Sequence, residues 1–217
     1  MLCYFLWGDY LKQDRETRNK LLQSAREEFM EKGFMKASLR NICKNAGVTT
    51  GALYFFFEDK EDLFDAVTKD IVNAIFGILQ SHFQEENDII NSGTTMAPDS
   101  IDHQKDFDVV RELLHHMYLY REEVLFILTK CQGTKLENIT DVLIETTEKH
   151  YRKMADAMQE ANPGSAADDT FIHWLAHEQI DMFVYAVMHI EQEEEAMRFM
   201  NQALVFMMAG WYGLFLK

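Results

Sequence analysis

With 217 residues, 47% of them apolar and 26% charged, the chain is long and apolar enough to bury a proper core, which excludes a disordered polypeptide. A formal net charge of −15 argues against nucleic acid as a partner of the chain as a whole. Three widely separated cysteines exclude a disulfide framework and a cysteine-type metal site, and point to a reducing, cytoplasmic compartment.

Two prolines and ten glycines, set against plentiful Leu, Ala, Glu, Met and Lys, predict helix throughout. No Val/Ile/Thr alternation is long enough to predict a strand. The opening MLCYFLW is a short apolar run without a basic leader or cleavage site, so it does not read as a signal peptide. Met1–Leu11 is expected to be either a hydrophobic addition that packs on the body or the product of an early start codon. The apolar run Ala203–Leu216 is 14 residues long. A membrane span needs about 17–25 residues, so this run reads as a buried helix and no membrane association is expected.

In chain order, the first helix is predicted over Asp14–Lys32, where Leu21, Leu22, Ala25 and Phe29 recur at helical spacing. Gly33 ends it as a left-handed residue. Ser38 reads as the N-cap of a short second helix, with Leu39, Ile42, Cys43 and Ala46 on one face. Gly47 makes the turn, and Thr49 caps a third short helix that carries Ala52, Leu53 and the aromatic run Tyr54–Phe57. A longer helix follows over Asp59–Glu85, then a loop over Asn87–Ser100. Further helices are predicted over Ile101–Leu119, Glu122–Lys130, Leu136–Glu160, Asp168–His189 and Glu193–Leu216. The expected architecture is all-α, about nine helices, with a front domain over 12–58 and a helical bundle over 59–217.

Charge divides the same way. Lys12–Phe57 holds nine Lys and Arg against five Asp and Glu, a net of +4, whereas Asn73–Lys217 holds ten against twenty-four, a net of −14. A basic end on an acidic body is a hint of a nucleic-acid-facing segment. Two short capped helices joined by a tight glycine turn are the sequence form of a helix-turn-helix, whose second helix enters the major groove. A helix buries only one side of itself, so four successive aromatics cannot all face inward. Leu53 and Phe57 are therefore assigned to the core, and Tyr54 and Phe55 to the outside. The competing reading is a helical subdomain whose aromatics only fill its own core.

The residues that carry this pattern, Gly33, Ser38, Ile42, Ala46-Gly47-Val48, Gly51, Leu53-Tyr54, Phe57, Lys60 and Leu63, fall in step with the DNA-binding domain of TetR-family transcriptional regulators, which Thr17–Ile71 resembles. The resemblance implies phosphate contacts from Ser38, Thr49, Tyr54 and Lys60. It places Arg40, Thr50, Gly51 and Phe55 at or near base edges. These roles suit the chemistry: hydroxyls and lysine position the protein, while Arg grips a guanine edge and an aromatic ring or methyl meets a thymine methyl. The family usually has His where this chain has Phe56, and often a basic residue at Thr50, so fewer charge contacts than typical are expected.

The family resemblance further implies a rear domain that holds an inducer and a homodimer built on the last two helices. Phe171, Leu175, Met182, Met200, Leu204 and Met208 are the expected interface members. Ten of the thirteen methionines follow Asn73, and a thioether lining suits apolar guests. A small apolar or aromatic effector is therefore expected, with His115, Met117, Phe126, Tyr151 and Met154 as pocket residues. His173 and His177, at i, i+4, and the Glu112-x-x-His115 unit have the residue types of a metal site. Only one such unit is present where a di-iron bundle needs two, and these histidines are read as structural or surface groups. The resulting expectation is a ligand-responsive repressor that binds a palindromic operator as a dimer and is not an enzyme, with no cofactor or metal. The alternatives are a metal-dependent helical-bundle enzyme on Glu112, His115, His173 and His177, and an architectural DNA-binding protein without an inducer.

Overall fold

The computed structural model describes residues 2–92, 103–165 and 167–215, with side chains from Lys12 onward except at position 103. Nine helices and no strand occur among the described residues: α1 Leu2–Lys36, α2 Leu39–Ala46, α3 Thr50–Phe56, α4 Lys60–Asn91, α5 His103–Leu119, α6 Arg121–Lys130, α7 Ile139–Ala161, α8 Asp169–His189 and α9 Glu193–Phe215. The all-α expectation holds. None of these helices is long and apolar enough to cross a membrane.

The predicted boundaries fall within a few residues except at two places. α1 begins at Leu2, well ahead of Asp14, and α4 continues through Asn87–Asn91, which the sequence reads as loop. Ile89 and Ile90 are half-buried, and Ile90 packs against an apolar cluster, so tertiary burial extends α4 beyond its polar signal. The rest of the expected loop, 93–100, and residues 101–102 lie outside the described residues.

The chain forms two compact units, residues 1–70 with 125–137, and residues 71–124 with 138–217. The first unit is thus larger than the expected 12–58. It takes in the first turns of α4 and the last turns of α6 because their aromatics share its core. Phe29, Phe34, Phe64 and Phe126 form one cluster, with ring centroids 5.8 Å (Phe29–Phe34), 5.3 Å (Phe34–Phe64) and 5.6 Å (Phe64–Phe126) apart. Leu21, Ala25, Ile42, Leu53, Phe57 and Leu63 are buried in the same unit. Ser24 donates its hydroxyl to the Ile42 carbonyl at 2.9 Å, tying α1 to α2.

In the second unit, Ala155 and Met158 of α7, Ile172 and Leu175 of α8, and Trp211 and Phe215 of α9 form one buried cluster. Ile144, Ala176 and Ile180 form another, between α7 and α8. At the far end of α8, the Tyr118 hydroxyl shares its proton between the carbonyls of Ala186 (2.9 Å) and Ile190 (2.8 Å). Arg121 donates Nη2 to the Val187 carbonyl at 2.8 Å. Val187 belongs to the last turn of α8, whose carbonyls run out of helical partners, whereas the Ala186 carbonyl also accepts the Ile190 amide at 3.0 Å.

Candidate nucleic-acid interface

α2 and α3 are each too short to be stable alone, and their ends are fixed by specific groups. Gly47 has φ 69° and ψ 32°, the left-handed conformation that lets the chain leave α2 and return at once. Thr49 accepts the Ala52 amide through Oγ1 at 3.2 Å and so caps α3, as its position predicts.

Ser38 departs from the expectation. It stands at the N-cap of α2 but makes no capping bond with its side chain. The Glu28 carboxylate does the work instead: Oε1 accepts the Ser38 amide at 3.1 Å and the Asn41 side-chain amide at 3.3 Å, and Oε2 pairs with Lys32 at 2.8 Å. Glu28 is buried. Burial alone would raise its carboxyl, but the bonds from Lys32, Ser38 and Asn41 hold it below its ordinary value. The Ser38 hydroxyl is left out of the capping arrangement.

On α3 the aromatic run divides by helical geometry. Leu53 is 0% and Phe57 is 3% exposed, whereas Tyr54 is 57% and Phe55 is 72% exposed. Phe56 is half-buried, its ring edge-on to Phe55 at 4.9 Å and tilted against Phe57 at 6.4 Å. It braces the exposed Phe55 ring. Thr49, Thr50, Gly51, Tyr54 and Phe55 thus present one exposed face at the N-terminal end of α3, and Arg40 and Lys44 are exposed on α2. A β-carbon at Gly51 would meet only Thr49 Oγ1, at 3.8 Å, so the protein's own packing does not require glycine there. The face offers hydroxyls, a bare backbone, two aromatic rings and flanking cations, a set suited to a groove edge.

Lys60 is placed differently from a free phosphate ligand. Its ammonium donates to the carbonyls of Ala37 (3.1 Å) and Met35 (3.4 Å) and lies 4.5 Å from the centroid of the Phe34 ring. Burial pushes its amine below the ordinary lysine value. Lys60 therefore braces the corner between α1 and α2.

The expected pocket residues are divided between the two units. Phe126 is buried in the aromatic cluster of the first unit, because α6 beyond Val124 packs there. His115 is exposed and pairs with Glu193 at 2.9 Å. Met117 is buried, while Tyr151 and Met154 border the cluster of α7, α8 and α9, where Tyr151 and Trp211 have centroids 5.6 Å apart. Of the expected interface members, Leu175, Met200 and Leu204 are already buried within one chain, since they face the bundle interior. Phe171, Met182 and Met208 are half-buried. The large apolar side chains that α8 and α9 do expose are Trp174, Tyr185, Met188, Val205 and Phe206.

Glu112, His115, His173 and His177 form no metal-competent group among the described residues. His173 gives Nδ1 to Glu148 at 2.7 Å and faces His177 Nε2 with its own Nε2 at 3.2 Å, on the exposed side of α8. A group that sequence reasoning missed is His82, Glu86 and Asp106, whose donor atoms lie within 4.8 Å of one another. The His82–Glu86 spacing was legible on α4, but nothing in the sequence brings Asp106 to it.

Comparison with known proteins agrees with this geometry. The profile of the bacterial regulatory proteins, tetR family, matches residues 21–67. The transcriptional repressor KstR2 of Mycolicibacterium smegmatis is 26% identical over 165 residues, covering 75% of this chain and 71% of that protein. The repressor BepR of Brucella suis is 46% identical over 52 residues, 24% of this chain and 25% of its own length, so that likeness is confined to one domain. Among solved structures, NalD of Pseudomonas aeruginosa, the secondary repressor of the MexAB-OprM multidrug efflux pump, superposes with a TM-score of 0.58 at 17% identity, over 91% of this chain and 97% of that one. A transcriptional regulator from Aquifex aeolicus gives a TM-score of 0.55 at 16% identity, over 88% and 98%. These two likenesses concern the fold alone. With a helix-turn-helix whose recognition face is exposed, residues 21–67 carry the DNA-binding domain of the bacterial regulatory proteins, tetR family, and the chain is similar over most of its length to a transcriptional repressor that bears such a domain.

Proposed function

We propose that this regulator is a repressor acting in the cytoplasm, a homodimer that binds a palindromic operator and releases it when a small effector occupies the second unit. The observation that carries the DNA contact is the division of α3 into a buried pair, Leu53 and Phe57, and an exposed pair, Tyr54 and Phe55. Ser38, Thr49 and Tyr54 supply hydroxyls to phosphates. Arg40, Thr50, Gly51 and Phe55 meet base edges, and Lys60 serves mainly by holding the corner from which α2 departs.

Two recognition helices reading two half-sites require a two-fold dimer. Trp174, Tyr185, Val205 and Phe206 support one on α8 and α9, since exposed aromatics at this density are the composition of an interface. Phe171, Met182 and Met208 lie on the same helices and join it at its margin. The effector is apolar or aromatic in its main part, in keeping with Tyr151 and Met154 beside Trp211. It must favour the released state over the DNA-bound one, or it shifts nothing.

Selection from random duplex DNA tests the reading, with Arg40→Ala/Tyr54→Ala as control. An enriched inverted repeat that the double variant does not retain is the expected result. Enrichment of single half-sites, or none at low salt, overturns it.

A further inference from the structure

His82 and Glu86 stand four residues apart on α4 and so share one face of that helix. Asp106, in the first turn of α5, brings its carboxylate to the same point. His82 Nε2 lies 3.4 Å from Glu86 Oε2 and 3.7 Å from Asp106 Oδ1. Ligand atoms bonded at about 2.0–2.2 Å to one ion stand roughly 3–3.5 Å apart in tetrahedral or octahedral arrangements. His82 is therefore within a few tenths of an ångström of coordination spacing from each carboxylate, and the three groups can bring ligand atoms within 4.8 Å of one another. All three are half-buried.

A second feature points to the same place. His150 of α7 is 4% exposed, its Nε2 lies 2.5 Å from Glu86 Oε2, and its ring stacks on Phe83 with centroids 4.1 Å apart and planes 13° apart. Its Nδ1 is buried with no hydrogen-bond partner. Only a proton on Nε2, donated to Glu86, leaves no orphaned N–H in that position. His150 is thus a rigid, buried donor aimed at Glu86 Oε2, the same oxygen that lies 3.4 Å from His82, and it fixes that carboxylate from behind. Outer groups that orient metal ligands have this arrangement.

We infer that His82, Glu86 and Asp106 form a binding site for a divalent metal ion, with His150 as the positioning residue behind Glu86. One imidazole and two carboxylates make a borderline-hard set that suits Zn²⁺, Mn²⁺ or Fe²⁺ rather than Cu⁺. Three protein ligands leave positions open for water or for an oxygen-bearing effector. The regulatory consequence rests on the reading proposed above. α4 is one continuous helix that begins at Lys60 and carries His82 and Glu86, so an ion held there biases an element shared with the front unit.

The test uses the purified full chain, stripped with a chelator and titrated with ZnCl₂ or MnCl₂ by calorimetry and by competition with a chromophoric chelator. The variants are His82→Gln, Asp106→Asn and His150→Phe, each checked for helicity and melting. His173→Ala/His177→Ala serves as control for adsorption at the exposed histidine pair. The site predicts one ion per chain and a hundredfold or greater loss of affinity in His82→Gln and in Asp106→Asn. Removing the positioning group should weaken binding about 10–100-fold, and the control should bind unchanged. No stoichiometric binding by the folded chain overturns the proposal and leaves His82 as an ordinary ion-pair partner of the two carboxylates. Equal affinity in the wild type and both ligand variants overturns it too, as does loss confined to His173→Ala/His177→Ala. The ion's effect on affinity for the selected operator is then read separately. Binding at this site without any change on DNA keeps the site and overturns only its regulatory role.

Discussion

The Glu28 carboxylate of α1 holds the Ser38 backbone amide at 3.1 Å, so an acid ten residues upstream does the capping that the serine's own side chain leaves undone. Replacing Glu28 by Ala orphans that amide and the ammonium of Lys32. The expected cost is about 1–3 kcal/mol in chemical denaturation. The carboxyl is held below its ordinary 4.5 in the folded state, so its contribution is fully present above that value and is lost as pH falls through the depressed one. Stability measured from pH 7 downward should fall in that acid window, and Glu28→Gln should lack this part of the fall. A Glu28→Ala protein as stable as wild type at pH 7 would remove Glu28 from this role.

Gly47 and Gly51 predict opposite outcomes for the same substitution. Gly47 has φ 69° with nothing within 4 Å of an added β-carbon, so Ala there meets strain rather than a clash. Gly47→Ala should destabilise by about 1–2 kcal/mol. Gly51 lies inside α3 and needs no positive φ, so Gly51→Ala should fold at least as stably, gaining up to about 1 kcal/mol of helix propensity. Its loss should appear only in DNA affinity, where a methyl stands between backbone and groove. Thermal melts paired with DNA titrations separate the two.

Leu53 and Phe55 make a second contrast, two residues apart. Leu53→Ala empties a fully buried position and should cost about 2–5 kcal/mol. Phe55→Ala should change stability by no more than about 0.5 kcal/mol while weakening operator binding. Arg40→Ala, if Arg40 grips a base, should cost about 1–3 kcal/mol of binding and relax sequence preference at one position of each half-site. A Phe55→Ala protein that binds DNA as wild type does would place the reading face elsewhere.

Tyr118 should matter to the second unit without touching DNA. Its hydroxyl serves two carbonyls at the end of α8, and Tyr118→Phe should lower stability by about 1 kcal/mol. Burial, the largest cause, raises its hydroxyl above the ordinary 10. That contribution is present below the unfolded value and is lost as pH rises through the folded one. The difference between Tyr118 and Tyr118→Phe proteins should therefore shrink above about pH 10.

Val205 and Phe206 are 56% and 77% exposed on α9. Val205→Asp/Phe206→Asp should yield a folded monomer in sedimentation and abolish binding to the full palindrome. Persistence of the dimer would move the interface off this face.

Local chemistry by itself determined the front of this protein. Gly47, Thr49 and the spacing of Leu53 and Phe57 act within a few residues of one another, so a turn, a cap and a helical face are legible without knowing what they pack against. The same holds for the all-α class, which follows from propensity and period. The tertiary structure decided everything that depends on which helix meets which. Phe126 reads as one more apolar residue of a rear helix, yet the rings of Phe29, Phe34 and Phe64 draw it into the first unit. Leu175, Met200 and Leu204 read as interface, yet a helical stripe does not say whether its partner is the same chain or a second copy. Glu28 reads as one solvated acid among many until α2 sets Ser38 against it. His82, Glu86, Asp106 and His150 come from three helices spread over nearly seventy positions, and convergence of that kind has no local signal because it is a property of packing alone.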